Sequence, residues 1–316
     1  QGIHAMIGES MPDIEMRFNR DVVVVEGGIA TMLARYGVVG LDCPELLNVT
    51  EPDLIEEIHR FFHISGAQCA ITNTYGASRG KLQKLGLDDK LEDLNVEGVK
   101  RAKSCNPEHV LADIGQCSIK VKEDDAESYE LAREQYMEQA TALAKAEPDA
   151  IYIETMKRIE DAECAVSAAK DATGLPVFCS CVYDQAGMLG GTTPMEDAVD
   201  RLQLAGADVL GINCRLTPEQ ILDPAEMLIH ATDLPVMIAP DVSEPHREPD
   251  GTITYAGSPD LMSEVAKQLR ALGVQFIGTC CGSTPAYTGA IFAAVSGMDV
   301  VPRSMSKRIE SGTYLF

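Results

Sequence analysis

The chain of 316 residues reads as one (β/α)8 barrel (TIM barrel), an α/β fold with short extensions at either end. Three observations predict it. Eight short apolar runs rich in β-branched residues recur at 22–26, 69–73, 110–114, 150–154, 177–182, 209–213, 236–239 and 275–278. Near-continuous apolar runs suit parallel strands buried on both faces. The segments between most of them read as amphipathic helices, and eight such units in this length close into a ring with right-handed crossovers. Finally, no Gly-x-Gly-x-x-Gly follows the first run, which counts against an open, doubly wound sheet.

The elements follow in order. The first run leads into Thr50-Glu51-Pro52-Asp53, which predicts a helix start with a capping Thr, an early Pro and an acid in the first turn. Thr193-Pro194-Met195-Glu196, Thr217-Pro218-Glu219, Ser258-Pro259-Asp260 and Thr284-Pro285 repeat the signal before later helices. Gly66, Gly174, Gly206 and Gly273 stand just ahead of strand runs, where helix C-caps belong. The organisation expected is an N-terminal extension over 1–20, the barrel over 21–296 and a tail over 297–316. Gln1-Gly2-Ile3-His4-Ala5 lacks an initiator Met and is set aside as a cloning remnant.

Composition excludes several partners. A net charge of −23 offers no basic stripe for nucleic acid and disfavours an anionic membrane surface. No apolar run approaches the roughly 20 residues that would span a bilayer. The first ten residues show no basic segment followed by an apolar one, so a reducing cytoplasm is expected. Ten cysteines are too few for a disulfide scaffold, and Cys69, Cys179, Cys181 and Cys214 sit inside apolar runs, where free Cys acts as a small hydrophobe. The 13 methionines read as core filler.

The most informative run is Ile277-Gly278-Thr279-Cys280-Cys281-Gly282-Ser283-Thr284-Pro285. Adjacent residues on a strand point to opposite faces, so two thiols can reach one centre only where the backbone leaves the strand. Gly278 and Gly282 allow that. Soft thiolates converging on one point bind Zn²⁺, and Cys214 in Gly211-Ile212-Asn213-Cys214 supplies the third ligand. In the barrel, Cys214 follows the sixth strand and Cys280-Cys281 the eighth, which brings all three to the C-terminal mouth where barrel enzymes carry their active sites. Three protein thiolates leave a fourth tetrahedral position open, the mark of a catalytic zinc. Such an electron-rich site is poorly suited to activating water. It suits holding a bound substrate thiol deprotonated and nucleophilic.

With these cysteines in place, the chain resembles the homocysteine S-methyltransferase family, which includes betaine–homocysteine methyltransferase and the homocysteine-binding module of cobalamin-dependent methionine synthase. The family hallmark is one Cys after strand six and a Gly-Gly-Cys-Cys-Gly-type run after strand eight, matched by Cys214 and by Gly278-Thr279-Cys280-Cys281-Gly282. The likeness covers roughly residues 21–296. Glu26-Gly27-Gly28-Ile29-Ala30-Thr31 resembles the family's Asp-Gly-Ala-Met-Gly-Thr, which implies that Glu26 and the Gly27 and Gly28 backbone hold the polar ends of homocysteine. Thr72-Asn73-Thr74-Tyr75 resembles Thr-Asn-Thr-Phe/Tyr, implying Thr74 near the substrate and Tyr75 near the metal or the reacting sulfur. Glu154-Thr155-Met156 resembles Glu-Thr-Met/Phe, implying Glu154 at the substrate ammonium.

Three mouth loops depart from the family pattern. Gly115-Gln116-Cys117-Ser118 replaces Gly-Pro-Thr/Ser-Gly, Ala239-Pro240-Asp241-Val242 replaces Pro-Asn-Ala-Gly, and the first motif carries Glu26 for Asp and Ala30 for Gly. The resemblance therefore implies a zinc-dependent methyltransferase, with homocysteine as the inherited thiol substrate, methionine as product and the methyl donor open. Betaine and sulfonium donors favour aromatic boxes, whereas this chain has no Trp and 5% aromatics. Methylcobalamin would come on a separate corrinoid protein, since no Asp-x-His-x-x-Gly occurs among the six histidines. The alternative is a component that moves a methyl group between a small substrate and that corrinoid protein. A non-catalytic zinc or thiol-binding protein is disfavoured by the open fourth position. A zinc hydrolase is disfavoured because no two histidines stand at the mouth; His59 and His63 share a helix and His246 is in a loop. A homo-oligomer is left open.

Overall fold

The computed structural model describes residues 13–303. Residues 1–12 of the expected N-terminal extension, with its opening five, and 304–316 of the tail lie outside the described residues. Eight parallel strands follow one another around a ring: β1 Val23–Val24, β2 Cys69–Ile71, β3 His109–Ile114, β4 Ala150–Met156, β5 Val177–Cys181, β6 Val209–Asn213, β7 Val236–Ala239 and β8 Phe276–Ile277. Each pairs with its neighbour in sequence, β1 pairs with β8, and a parallel bridge between Val25 and Cys69 closes the ring. The expected barrel is the observed fold. β1, β2 and β8 are shorter than their apolar runs because the chain turns out of the sheet there to form the mouth loops.

The eight outer helices are Pro52–Ile64, Leu91–Lys103, Ala126–Ala144, Ile159–Thr173, Met195–Ala205, Leu222–Ala231, Pro259–Leu272 and Pro285–Val295. Ser258 caps its helix by accepting from Leu261 N at 3.2 Å. Gly174, Gly206 and Gly273 end theirs in the left-handed conformation. Pro52 does begin a helix, but Thr50 is not its cap. That Thr ends a preceding short turn of helix and donates to Leu46 O instead, leaving Glu51 at the N-cap. Two mouth hairpins were not foreseen: Met188–Leu189 with Thr193–Pro194, and Pro245–Arg247 with Ile253–Tyr255.

Period-two alternation sorts each strand into an inward and an outward set. Val23, Cys69, Leu111, Tyr152, Phe178, Val209, Met237 and Phe276 form the packed barrel interior. Ile14 and Phe18 plug it from below, the Phe18 ring lying edge-on to Phe178 and Phe276 at 6.1 and 6.3 Å. Arg17 seals that end by pairing with Asp21 at 2.6 Å and with Glu108. The chain near 298–300 straps over the same end through Val22 N to Met298 O and Val300 N to Arg20 O. Among the described residues no helix is long and apolar enough to cross a membrane.

Candidate metal centre and substrate cavity

Two residues further along the same inward face, the packed interior gives way to polar groups. Leu111 is followed by Asp113 and Tyr152 by Glu154. They open into a cavity of about 680 Å³ at the C-terminal mouth, whose lining includes Glu26, Asp113, Glu154, Cys214, Cys280 and Cys281.

The cysteines converge. Cys214 Sγ lies 3.6 Å from Cys281 Sγ, and Cys280 Sγ lies 4.0 Å from Cys281 Sγ. With an Asp241 oxygen, the three sulfurs all fall within 4.8 Å of one another. All ten cysteines are free thiols. The backbone leaves the strands as the adjacent thiols require. Cys214 and Arg215 take φ values of 68° and 62°, uncommon for residues with a side chain. After Cys281, Gly282 takes φ of 79° at a turn where Tyr255 packs against it.

The segment after β7, between the two cysteine loops, binds both. Cys214 N donates to Ala239 O at 3.1 Å, Cys280 N to Pro240 O at 2.7 Å, and Val242 N to Cys281 O at 3.0 Å. The Asp241 side chain accepts from Cys281 N and from Arg215 N, each at 3.0 Å. Burial, with the neighbouring Cys281, pushes its carboxyl up to about 6. Cys281 is held far below the usual thiol range by donation from the Cys214 and Cys280 thiols and from the Tyr255 hydroxyl, whereas Cys280 is pushed up because it donates. One thiolate is therefore already stabilised, and three soft donors beside a carboxylate make a site suited to Zn²⁺.

The other expected site residues divide. Glu26 lines the cavity, but its carboxylate is already engaged: Oε1 accepts from Ile71 N at 2.7 Å, and His59 Nδ1 lies 2.9 Å away. His59 reaches Glu26 from the helix Pro52–Ile64, behind the cavity wall and not among its lining residues. Gly27 and Gly28 line the cavity; a β-carbon at Gly27 would collide with Ser283, and one at Gly28 would press on Cys280 O at 3.3 Å. Thr74, expected at the substrate, is not among the lining residues. It is fully buried behind the lining residues Thr72 and Asn73 and donates to Asp113 O at 2.6 Å.

Tyr75 does line the cavity, and Gly115 makes room for it, since a β-carbon there would come within 2.6 Å of its ring. Burial, with Glu154 adding, raises its hydroxyl and keeps it protonated. Glu154 lines the cavity beside Thr155, whose φ of 57° breaks the strand alternation so that these two consecutive residues both face in. Asn213 Nδ2 steadies Thr155 Oγ1 at 2.7 Å.

Asp113, Asp241 and Tyr255 were missed as site residues. Asp113 is 4% exposed, its Oδ1 has no hydrogen-bond partner, and burial followed by the Glu154 charge drives its carboxyl well above the usual range. Its signal was present: it stands two residues after Leu111 on an inward face. The family model described as homocysteine S-methyltransferase matches residues 23–295.

The chain belongs to the homocysteine S-methyltransferase family.

It is 27% identical to the methionine synthase of Mycobacterium tuberculosis over 305 residues, 90% of this chain and 25% of that protein. The chain thus spans about a quarter of the length of that relative. It is 28% identical to betaine–homocysteine S-methyltransferase 1 of Mus musculus over 295 residues, 86% of this chain and 71% of that protein. The homocysteine methyltransferase MmuM of Escherichia coli, in its metallated form, shares the fold with a TM-score of 0.71 at 24% identity, covering 86% of this chain and 96% of that one. The Pro240-Asp241-Val242 loop, where this chain departs from the family pattern, is the one that joins its two cysteine loops.

Proposed function

We propose that this chain is a zinc-dependent methyltransferase that passes a methyl group to the thiol of homocysteine, giving methionine. The observation that carries the reading is the meeting of Cys214, Cys280 and Cys281 on the wall of the mouth cavity. These three would hold the zinc. Bound zinc supplies a soft Lewis acid that keeps a substrate thiol deprotonated at neutral pH.

The surrounding residues bind and orient. Asp241 ties the Cys281 and Arg215 backbones together, so that the thiols stay poised without rearrangement. Glu154, raised by burial, gains a counter-charge when the substrate ammonium arrives, which favours its carboxylate form. Gly27 and Gly28 present backbone next to the Cys280 carbonyl, close enough to receive the polar end of an amino acid. Glu26, fixed by His59 and Ile71, supplies negative charge at that wall. The protonated Tyr75 hydroxyl is a donor facing the same space.

A corrinoid-linked direction uses the same residues. It is favoured by the match to a quarter of a methionine synthase, a relative with much further chain beside the shared region. Incubating zinc-loaded protein with homocysteine and, separately, methylcobalamin, betaine and S-methylmethionine tests the reading. Methionine formed with any donor is the expected result; none with all three, at full zinc loading, removes homocysteine methylation and leaves the corrinoid component as the reading.

A further inference from the structure

The cavity holds a cation that no acid among the described residues pairs with. Lys81 sits in the short helix Arg79–Gln83 after β2 and lines the cavity that contains the three cysteines. Its Nζ lies 5.0 Å from the centroid of the Tyr75 ring. Among the described residues it makes no ion pair and no hydrogen bond. The contrast within one helix is sharp, because Arg79, two residues earlier, pairs with Glu138 and Asp88. The chain carries 49 Asp and Glu against 26 Lys and Arg, so a half-buried ammonium without a carboxylate is not a matter of scarce partners. Glu45 and Asp113 act on it only through their fields, without bonding to it, and Glu45 is engaged by Gly76 N and the Cys43 thiol.

We infer that Lys81 is the anion-recognising residue of this cavity, receiving the carboxylate of a small substrate whose reacting sulfur or methyl group lies at the cysteines. The inference rests on the cavity being the methyl-transfer site proposed above. A ring face steadies an ammonium only partly, and burial lowers the Lys81 pKa, so an entering anion supplies what the protein leaves out. The exposed Lys84 also lines the cavity, but Lys81 is the half-buried ammonium on the Tyr75 ring within the field of Glu45 and Asp113, and that setting favours a monoanion such as a carboxylate over a phosphate dianion. Two reactants could bring that group, the amino-acid thiol or the methyl donor, and their chemistry at Lys81 is the same.

Calorimetric titration of the zinc-loaded full chain separates the two sources. The probes are homocysteine against 3-aminopropane-1-thiol, which lacks the carboxylate, and betaine against choline, which likewise lacks it. Lys81→Met should weaken the carboxylate-bearing member of one pair by roughly tenfold to a hundredfold and leave its carboxylate-free partner unchanged. The pair affected names the reactant. Lys81→Arg should keep most of the affinity. Equal losses for both members of a pair, or no loss in any pair that the wild type binds, overturns the assignment while leaving the methyltransferase reading intact. A wild type that binds none of the four probes overturns that reading and the assignment with it.

Discussion

Asp241 accepts the backbone N–H of Cys281 with one carboxylate oxygen and that of Arg215 with the other, each at 3.0 Å. One side chain after β7 therefore clamps the loop after β6 to the loop after β8. Asp241→Ala should weaken zinc binding roughly tenfold to a hundredfold, the usual cost of losing a group that orients ligands. Asp241→Asn should fall between, since an amide oxygen can replace only one of the two acceptors. Competition with a chromophoric chelator measures both, and an undiminished affinity in the Ala variant would exclude the clamp from metal binding.

Changing Cys214, Cys280 or Cys281 to Ala should abolish stoichiometric zinc, read by elemental analysis. A Cys280→Ala protein that keeps one zinc would break the triad. Chelation of the wild type should leave its far-UV circular dichroism unchanged, because the core lies below and outside the site and the cysteines occupy the rim. Wholesale unfolding on chelation would make the metal structural.

Glu26 and Glu154 should respond differently, although both were expected to act on substrate. Glu154→Gln should raise KM for an amino-acid thiol while leaving thermal stability nearly unchanged. Glu26→Ala should also destabilise the protein, by roughly 1–3 kcal/mol for each group it orphans, here the Ile71 N–H and His59 Nδ1. Thermal melts beside steady-state kinetics separate the two. Equal melting temperatures for the Glu26→Ala and wild-type proteins would show that its internal contacts contribute little.

Asp113 carries a pH signature. Its folded carboxyl binds a proton more tightly than an unfolded Asp, whose pKa is about 3.9. The folded state therefore loses stability relative to the unfolded one as pH rises from about 4 through the higher folded value, and the penalty is complete above it. Asp113→Asn removes that penalty. Its melting temperature should exceed the wild type's at neutral pH, and the difference should close as pH falls to about 4. A gap that is constant across this range would mean that the carboxyl does not titrate anomalously.

The barrel was legible in the sequence because its cause is local and repeated. Each buried parallel strand must be apolar on both faces, and Gly174, Gly206 and Gly273 mark three of the helix ends. Cys214 and Cys280-Cys281 were legible too, since residues after strands six and eight of a closed ring have only the mouth to occupy. Asp113 was there to be found by counting two residues on from Leu111.

Asp241, Tyr255 and the Glu26–His59 contact were decided by the tertiary structure alone. Asp241 bridges two loops distant in sequence, Tyr255 arrives on a hairpin whose Pro249-Asp250-Gly251 turn does not say what its strand will meet, and His59 reaches Glu26 from a helix whose apolar face reads as ordinary packing. A strand's period states which way a side chain points. Which other chain segment meets it there depends on how the ring closes, and that information is spread over the whole fold.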